Sequence, residues 1–359
     1  MSEGGETGAT LTARTGAAAP EPLRWGVIGA TSTVARRAVL PAIASSSDAR
    51  LVAMASRAFA GGLSVPRVDR ALAALMAPLY PSGVRRSARY QDVLDDPDVE
   101  AVYIPLPNGL HAEWTRRSAA AGKHVLCEKP LCLDPVEAWS MVEACKSAGV
   151  VLAEAYVTPF HPRSQRLAEL VSSGALGELL FAHTAFTFHL DRPDDHRWDP
   201  ALGGGALADV GIYCLAPILV AAGRRPLAIA GAGRFTSKGV DASVAGWLDF
   251  GEGFCASVEC SFEVPERQLL EFVGTGAAVS VERAFTPGPS DTGFDLRHRD
   301  GSVTRVETGG ADPYLKMIED FAAVVRENAC PTRTASDAVA LLEVADELRR
   351  AAVLHQVVS

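Results

Sequence analysis

Between Leu23 and Tyr156 five short apolar runs follow one another: Leu23 to Ala30, Ala49 to Arg57, Val99 to Pro107, Lys123 to Pro130 and Val151 to Tyr156. Helix-like stretches part them, at Val34 to Ala44, where Pro41 reads as an internal break, at His111 to Ala121, and from Asp134-Pro135 to Gly149. Strands that alternate with helices pair in parallel, because a parallel neighbour is reached only by a crossover. The pattern predicts a doubly wound parallel sheet over residues 23–155, helices covering both faces. Asp134 and Pro135 are a cap and a first-turn proline, and the helix they open puts Ala138, Met141, Val142 and Cys145 on one face.

Beyond residue 156 the period changes. One helix, Pro162 to Ser173, precedes six strand-like runs between Glu178 and Glu282, with Phe250-Gly-Glu-Gly253 as a hairpin turn. Strands joined by short turns predict a large, open, mainly antiparallel sheet. Two closing helices follow, Pro313 to Glu327 and one capped by Ser336 that carries Leu341, Leu342, Ala345 and Leu348. The second domain is therefore expected to span 156–359, and residues 1–22, rich in Gly, Ala, Thr and Pro, read as a disordered tail without a signal-peptide core. At 359 residues the chain is long enough for two cores.

A formal net charge of −9 argues against a nucleic-acid or anionic-membrane surface. No apolar run approaches the roughly 18–20 residues of a membrane helix. The seven cysteines form no CxxC pair and no His/Cys cluster with zinc spacing. Buried free thiols in a cytoplasmic protein are expected, with no metal site. His161, His183 and His189 read as structural.

The small-residue loop follows the first strand and opens a helix: Gly26-Val-Ile-Gly29-Ala30-Thr31-Ser32-Thr33-Val34-Ala35. In that context a backbone without bulky Cβ groups approaches a pyrophosphate at a helix N-terminus. Of the usual three glycines only Gly29 is clear. The second strand ends Ala55-Ser56-Arg57, with no carboxylate for a ribose hydroxyl, and Arg36 and Arg37 lie just beyond the loop. A hydroxyl and a guanidinium suit the 2′-phosphate of NADP better than the bare ribose of NAD.

The loop, Ile104-Pro-Leu106-Pro-Asn108-Gly-Leu-His111, Glu128-Lys129-Pro130, and Gly203-Gly-Gly-Ala-Leu-Ala-Asp209-Val-Gly-Ile-Tyr213 together resemble the Gfo/Idh/MocA family. The resemblance implies a Rossmann domain, a second α/β domain whose sheet forms a homodimer or homotetramer interface, and hydride transfer between nicotinamide and a sugar-like carbon. It makes Lys129 the catalytic lysine, with Asp209 and Tyr213 as a second acid/base pair. Leu106, Asn108, His111 and Glu128 join the cofactor set, although His111 equally suits a helix cap. Arg197 could reach cofactor or substrate, and Tyr156 borders the substrate.

The chemistry supports those roles. Oxidising an alcohol needs a base for its proton, and reducing a ketone needs an acid at the same place. A desolvated lysine near a cationic nicotinamide, and a tyrosine beside that lysine, would both have lowered pKa values. Asp209 and Tyr213, four apart, share a helix face, and the glycines before them allow close approach to a ligand. Whether Lys129 or Tyr213 is the immediate proton partner stays open. The expected function is an NADP-dependent oxidoreductase of a sugar, ketosugar or cyclic polyol. The alternatives are a 3-ketoreductase of a deoxysugar nucleotide and a non-catalytic NADP-binding regulator, which would not need that acid/base set.

Overall fold

The computed structural model describes residues 21–61 and 83–358; apart from Glu21 and Pro22, the expected tail lies outside them. Six parallel strands, β1 (Leu23–Ile28), β2 (Ala49–Ala55), β3 (Arg85–Ser87), β4 (Ala101–Ile104), β5 (His124–Glu128) and β6 (Leu152–Ala155), lie in the order β3-β2-β1-β4-β5-β6. The winding direction reverses between β1 and β4, which opens a crevice at their C-terminal ends. Around the sheet pack α1 (Leu40–Ser45), α2 (Gln91–Leu94), α3 (His111–Ala120) and α4 (Pro135–Ser147). The Asp134 carboxylate accepts from the amides of Val136 and Glu137 at 2.8 and 2.9 Å, as its position before Pro135 predicts.

The first helix differs from expectation. Residues Ala35–Val39 form a wide π-type turn that runs directly into α1, and Pro41 occupies the first turn of α1 rather than breaking it. The π-type turn just before it widens the backbone where the proline lacks an N–H.

The second domain begins with α5 (Pro162–Ser172), whose N-terminal amide at Arg163 is capped by His161 Nδ1 at 3.1 Å. Its sheet comprises β7 (Leu179–Thr187), β8 (Ala228–Phe235), β9 (Asp241–Asp249), β10 (Cys255–Ser261), β11 (Arg267–Gly274), β12 (Ala277–Glu282), β13 (Gly293–His298), β14 (Val303–Glu307) and β15 (Gln356–Val358). Their order is β14-β13-β12-β11-β7-β10-β9-β8-β15. Pairing is antiparallel except at β7–β10 and β8–β15. The parallel centre arises because α6 (Ile212–Ala222) intervenes after β7, so the chain returns to the sheet at β8 by a crossover. The hairpin at Phe250–Gly253 is present, with Gly251, Glu252 and Gly253 all at positive φ.

The last two helices, α7 (Pro313–Glu327) and α8 (Ala335–Leu354), differ in place and in cap. Met317, Ile318, Phe321 and Ala322 of α7 lie in the core beneath β1, with Phe321 5.0 Å from Trp25, so α7 belongs by packing to the Rossmann domain. The cap of α8 is Thr334, not Ser336: Thr334 and Asp337 bond each other's backbone amides in a capping box. All seven cysteines are free, five of them buried, while Cys330 is exposed. Pro200–Ala222 reaches a membrane-helix length and apolarity that the expectation above denied it, with mean hydropathy 1.8. It is apolar because Ile212, Leu215 and Ile218 are buried among the residues of the second-domain core.

Candidate active site

The loop after β1 turns sharply at Gly29, whose φ is +99° and whose added Cβ would meet Leu106 Cδ2 at 2.8 Å. Only glycine fits both restraints. The Gly29 and Ala30 amides donate to Ala55 O at 2.8 and 3.0 Å, which ties the loop to the end of β2. Ser32 Oγ accepts from the Ala35 amide at 3.2 Å, and the Thr31 and Ser56 hydroxyls lie 2.7 Å apart. Thr33 and Arg57 are exposed. Arg36 Nε is buried with no hydrogen-bond partner among the described residues. Two hydroxyls and two guanidinium groups, one with an unmet donor, are a donor set that fits a phosphate-bearing dinucleotide.

Lys129 follows the last residue of β5, at the C-terminal edge of the sheet, and precedes a cis proline. Its Nζ donates to Asp209 O at 2.7 Å and to Asp209 Oδ1 at 2.9 Å. Arg197 Nε donates to Asp209 Oδ2 at 2.7 Å, and Arg197 Nη1 to Asp195 Oδ1 at 3.2 Å. Burial pushes the Asp209 carboxyl up, but the charges of Lys129 and Arg197 outweigh it and hold the pKa at about 2. Asp209 lies in a π-type turn, Leu207–Gly211, that leads into α6 and Tyr213. The Lys129 ammonium sits 5.1 Å from the centre of the Tyr213 ring. Lys129 from the first domain and Asp209 and Tyr213 from the second thus lie together.

The tyrosine's acidity does not follow expectation. Burial, with the nearby Tyr314, Glu128, Tyr156 and Asp209, pushes Tyr213 well above its usual value rather than below it. Tyr213 stays a phenol at neutral pH. Its ring is set by Tyr156 at 5.1 Å, Phe186 at 5.5 Å and Phe285 at 6.3 Å.

Other expected site residues serve to hold the site together. His111 is fully buried, with its ring nitrogens 2.8 Å from Pro130 O and 2.7 Å from Leu106 O, so it joins two strand-end loops. Asn108 Nδ2 donates to Gly203 O at 2.9 Å across the domain boundary. Buried Glu128 accepts from Tyr103 Oη at 2.6 Å and from the Lys129 amide at 3.2 Å. Tyr156 is 2% exposed, enclosed beside Tyr213.

At each glycine of the run the Cβ direction is occupied by the protein's own chain. Added Cβ atoms would meet Asn108 and Leu133 at Gly203, the Arg197 carbonyl at Gly204 and the Asp241 carboxylate at Gly205. Glu154, Arg333, Tyr103 and Phe285 went unnoticed in the sequence. Glu154, a lone carboxylate in an otherwise apolar strand, carried a faint signal.

A Rossmann crevice with a lysine at the strand edge, a salt-bridged aspartate and a tyrosine from a second α/β domain define a nicotinamide-dependent oxidoreductase. Residues 23–156 match the family described as "Oxidoreductase family, NAD-binding Rossmann fold", and residues 164–280 match "GFO/IDH/MocA C-terminal domain". The chain belongs to the Gfo/Idh/MocA oxidoreductase family. It is 33% identical over 332 residues to D-xylose 1-dehydrogenase (NADP(+)) 2 of Haloferax volcanii, covering 92% of this chain and 97% of that one. It is 32% identical over 311 residues to dTDP-3,4-didehydro-2,6-dideoxy-alpha-D-glucose 3-reductase of Streptomyces antibioticus, covering 86% and 90%. KijD10, a 3-ketoreductase from Actinomadura kijaniata solved with NADP and TDP-benzene, superposes with a TM-score of 0.83 at 28% identity, covering 94% of this chain and 99% of that one.

Proposed function

We propose that this protein is an NADP-dependent dehydrogenase or reductase that interconverts a hydroxyl and a carbonyl on a sugar, ketosugar or cyclic polyol. The observation that carries the reading is the cluster of Lys129, Asp209 and Tyr213, which meets where β5 of the parallel sheet ends. Bound NADP(H) supplies or accepts the hydride; the chain handles the proton. Two of the three Lys129 donors are engaged by Asp209, which leaves the third for a substrate oxygen. Asp209, ionised and paired on both oxygens, orients Lys129 and does not act as a base itself. Tyr213 remains protonated and so is ready to give its proton to the oxygen of a ketone being reduced.

The free-sugar reading draws on the xylose dehydrogenase likeness. The deoxysugar-nucleotide 3-ketoreductase reading draws on the similarity to the Streptomyces antibioticus enzyme and to KijD10. Nicotinamide absorbance with NADP⁺ and D-xylose, D-glucose or a cyclic trans-diol, and with NADPH and a dTDP-linked 3-ketosugar, separates them. Tight NADPH binding without turnover of any member of this panel would favour the non-catalytic regulator.

The reading also places the protein in the cytoplasm, consistent with its unpaired cysteines. Its open sheet presents Phe181, Trp247 and the alanines of β8 outward, with both aromatics more than 40% exposed. Such a face favours self-association as a homodimer or homotetramer. A light-scattering mass above that of the 37.8 kDa chain supports this, and a monomer mass at micromolar concentration overturns it.

A further inference from the structure

Glu154 lies on β6, and its carboxylate is 1% exposed. A buried carboxylate persists only when paired and hydrogen-bonded. One oxygen is hydrogen-bonded and the other is charge-paired. Oε1 accepts the Leu131 amide at 2.9 Å, two residues past Lys129, and Oε2 lies 3.1 Å from Arg333 Nη2. Arg333 comes from the segment just before α8, and its side chain is 10% exposed. Its guanidinium carbon stands 4.7 Å from the centre of the Tyr156 ring, and Tyr156 in turn packs 5.1 Å from Tyr213.

One buried ion pair therefore has two arms. The carboxylate arm holds the backbone just after the catalytic lysine, and the guanidinium arm lies over the ring of Tyr156, the tyrosine that packs on Tyr213. We propose that Glu154 and Arg333 are positioning residues that set the distance between the Lys129 ammonium and the Tyr213 hydroxyl. The proposal rests on the catalytic reading of Lys129 and Tyr213. Arg333 belongs to neither domain's sheet: the chain has returned through α7, which packs on the Rossmann core, before it delivers this guanidinium to the joint. The pair thus fastens three separate stretches of chain around the reacting centre, which neither sheet could align alone.

A planar guanidinium that lies over a ring and pairs with a carboxylate is poorly replaced by an ammonium, and not at all by a thioether. In the full-length protein, assayed with D-xylose and NADP⁺, Arg333→Met is expected to lower kcat on the order of ten- to a hundredfold, the effect of misplacing catalytic groups by about an ångström. KM for D-xylose and NADPH affinity should change little. Arg333→Lys should recover part of the loss, and Glu154→Gln/Arg333→Met should be no worse than Arg333→Met, because the two act as one unit.

An unchanged kcat, a loss confined to KM, or a lysine variant no better than methionine overturns the proposal. If Arg333→Met does not fold, Arg333→Lys alone decides: a lowered kcat at an unchanged melting temperature supports it, and a wild-type kcat overturns it. If D-xylose is not turned over, amide hydrogen exchange replaces kinetics. Faster exchange in Arg333→Met at the segments around Leu131 and Tyr213, with the Gly29–Ala35 loop unaffected, supports the proposal; no change or a uniform rise overturns it. Lys129→Met is run alongside. An active Lys129→Met enzyme removes the catalytic reading itself, whereas an inactive one beside a fully active Arg333→Met removes only the positioning claim.

Discussion

Asp209→Asn removes the anion that lies between Lys129 and Arg197 while nearly preserving shape. In the folded protein the Asp209 carboxyl is depressed from the usual 3.8 to about 2. That difference corresponds to about 2 kcal/mol in favour of folding with the ionised form. A folded pKa below the unfolded one gives stability that is fully present above about pH 4 and is lost as pH falls toward about 2. The asparagine variant lacks this term and also leaves two cations facing each other without their anion. It should therefore be less stable than the parent by at least roughly 2 kcal/mol at about pH 7. The gap should hold steady down to about pH 5 and narrow below about pH 4. Urea unfolding of both proteins across that range, read by far-UV circular dichroism, measures it. An asparagine variant as stable as the parent at neutral pH, or a gap that does not change on acidification, would refute the assigned electrostatics.

Asp241 behaves in the opposite sense. Its buried carboxylate accepts the Leu207 amide at 2.7 Å at the start of the turn that carries Asp209, and burial pushes it up to about 6. A folded pKa above the unfolded one means that ionisation costs stability above about pH 6, so Asp241→Asn should stabilise by up to about 3 kcal/mol at about pH 8 and by almost nothing below about pH 4; urea midpoints at the two pH values check it. Arg57→Ala should erase most of an expected tenfold or greater preference for NADPH over NADH, about 1.4 kcal/mol, while NADH affinity stays nearly constant, as fluorescence titration would show. Gly29→Ala places a Cβ at positive φ against Leu106 and should destabilise the fold by roughly 1–3 kcal/mol and weaken NADPH binding, measured by thermal melts with and without cofactor.

What was legible in the sequence is what local spacing encodes. The alternation up to Tyr156 became the six-stranded parallel sheet, and the Glu128-Lys129-Pro130 and Asp209-to-Tyr213 segments met as their motifs imply. What stayed hidden depends on burial and on distant chain. Tyr213 sits beside an ammonium, as expected, but enclosure and neighbouring acidic groups outweigh that one cation, and enclosure leaves no mark in a short motif. The glycines at 203–205 announce that space is short, not what fills it; in the Cβ direction the neighbours are Leu133, Asn108, Arg197 and Asp241. Ser336 is a good cap by residue type, but Asp337, three residues after Thr334, completes a box only with Thr334. Arg333 carries no local signal at all, because its partner Glu154 lies on a strand of the other half of the chain.

The central claim is that Lys129 and Tyr213 act together on the reacting oxygen, and the kinetics of their removal test it most directly. With a substrate found from the sugar and ketosugar panel, Lys129→Met should lower kcat by roughly 10²–10⁴-fold, the usual worth of general acid–base catalysis, with little change in NADPH affinity. Tyr213→Phe should lose a comparable or smaller factor, and the double variant much less than the product of the two. A Lys129→Met enzyme that turns over at the parent rate would contradict the account.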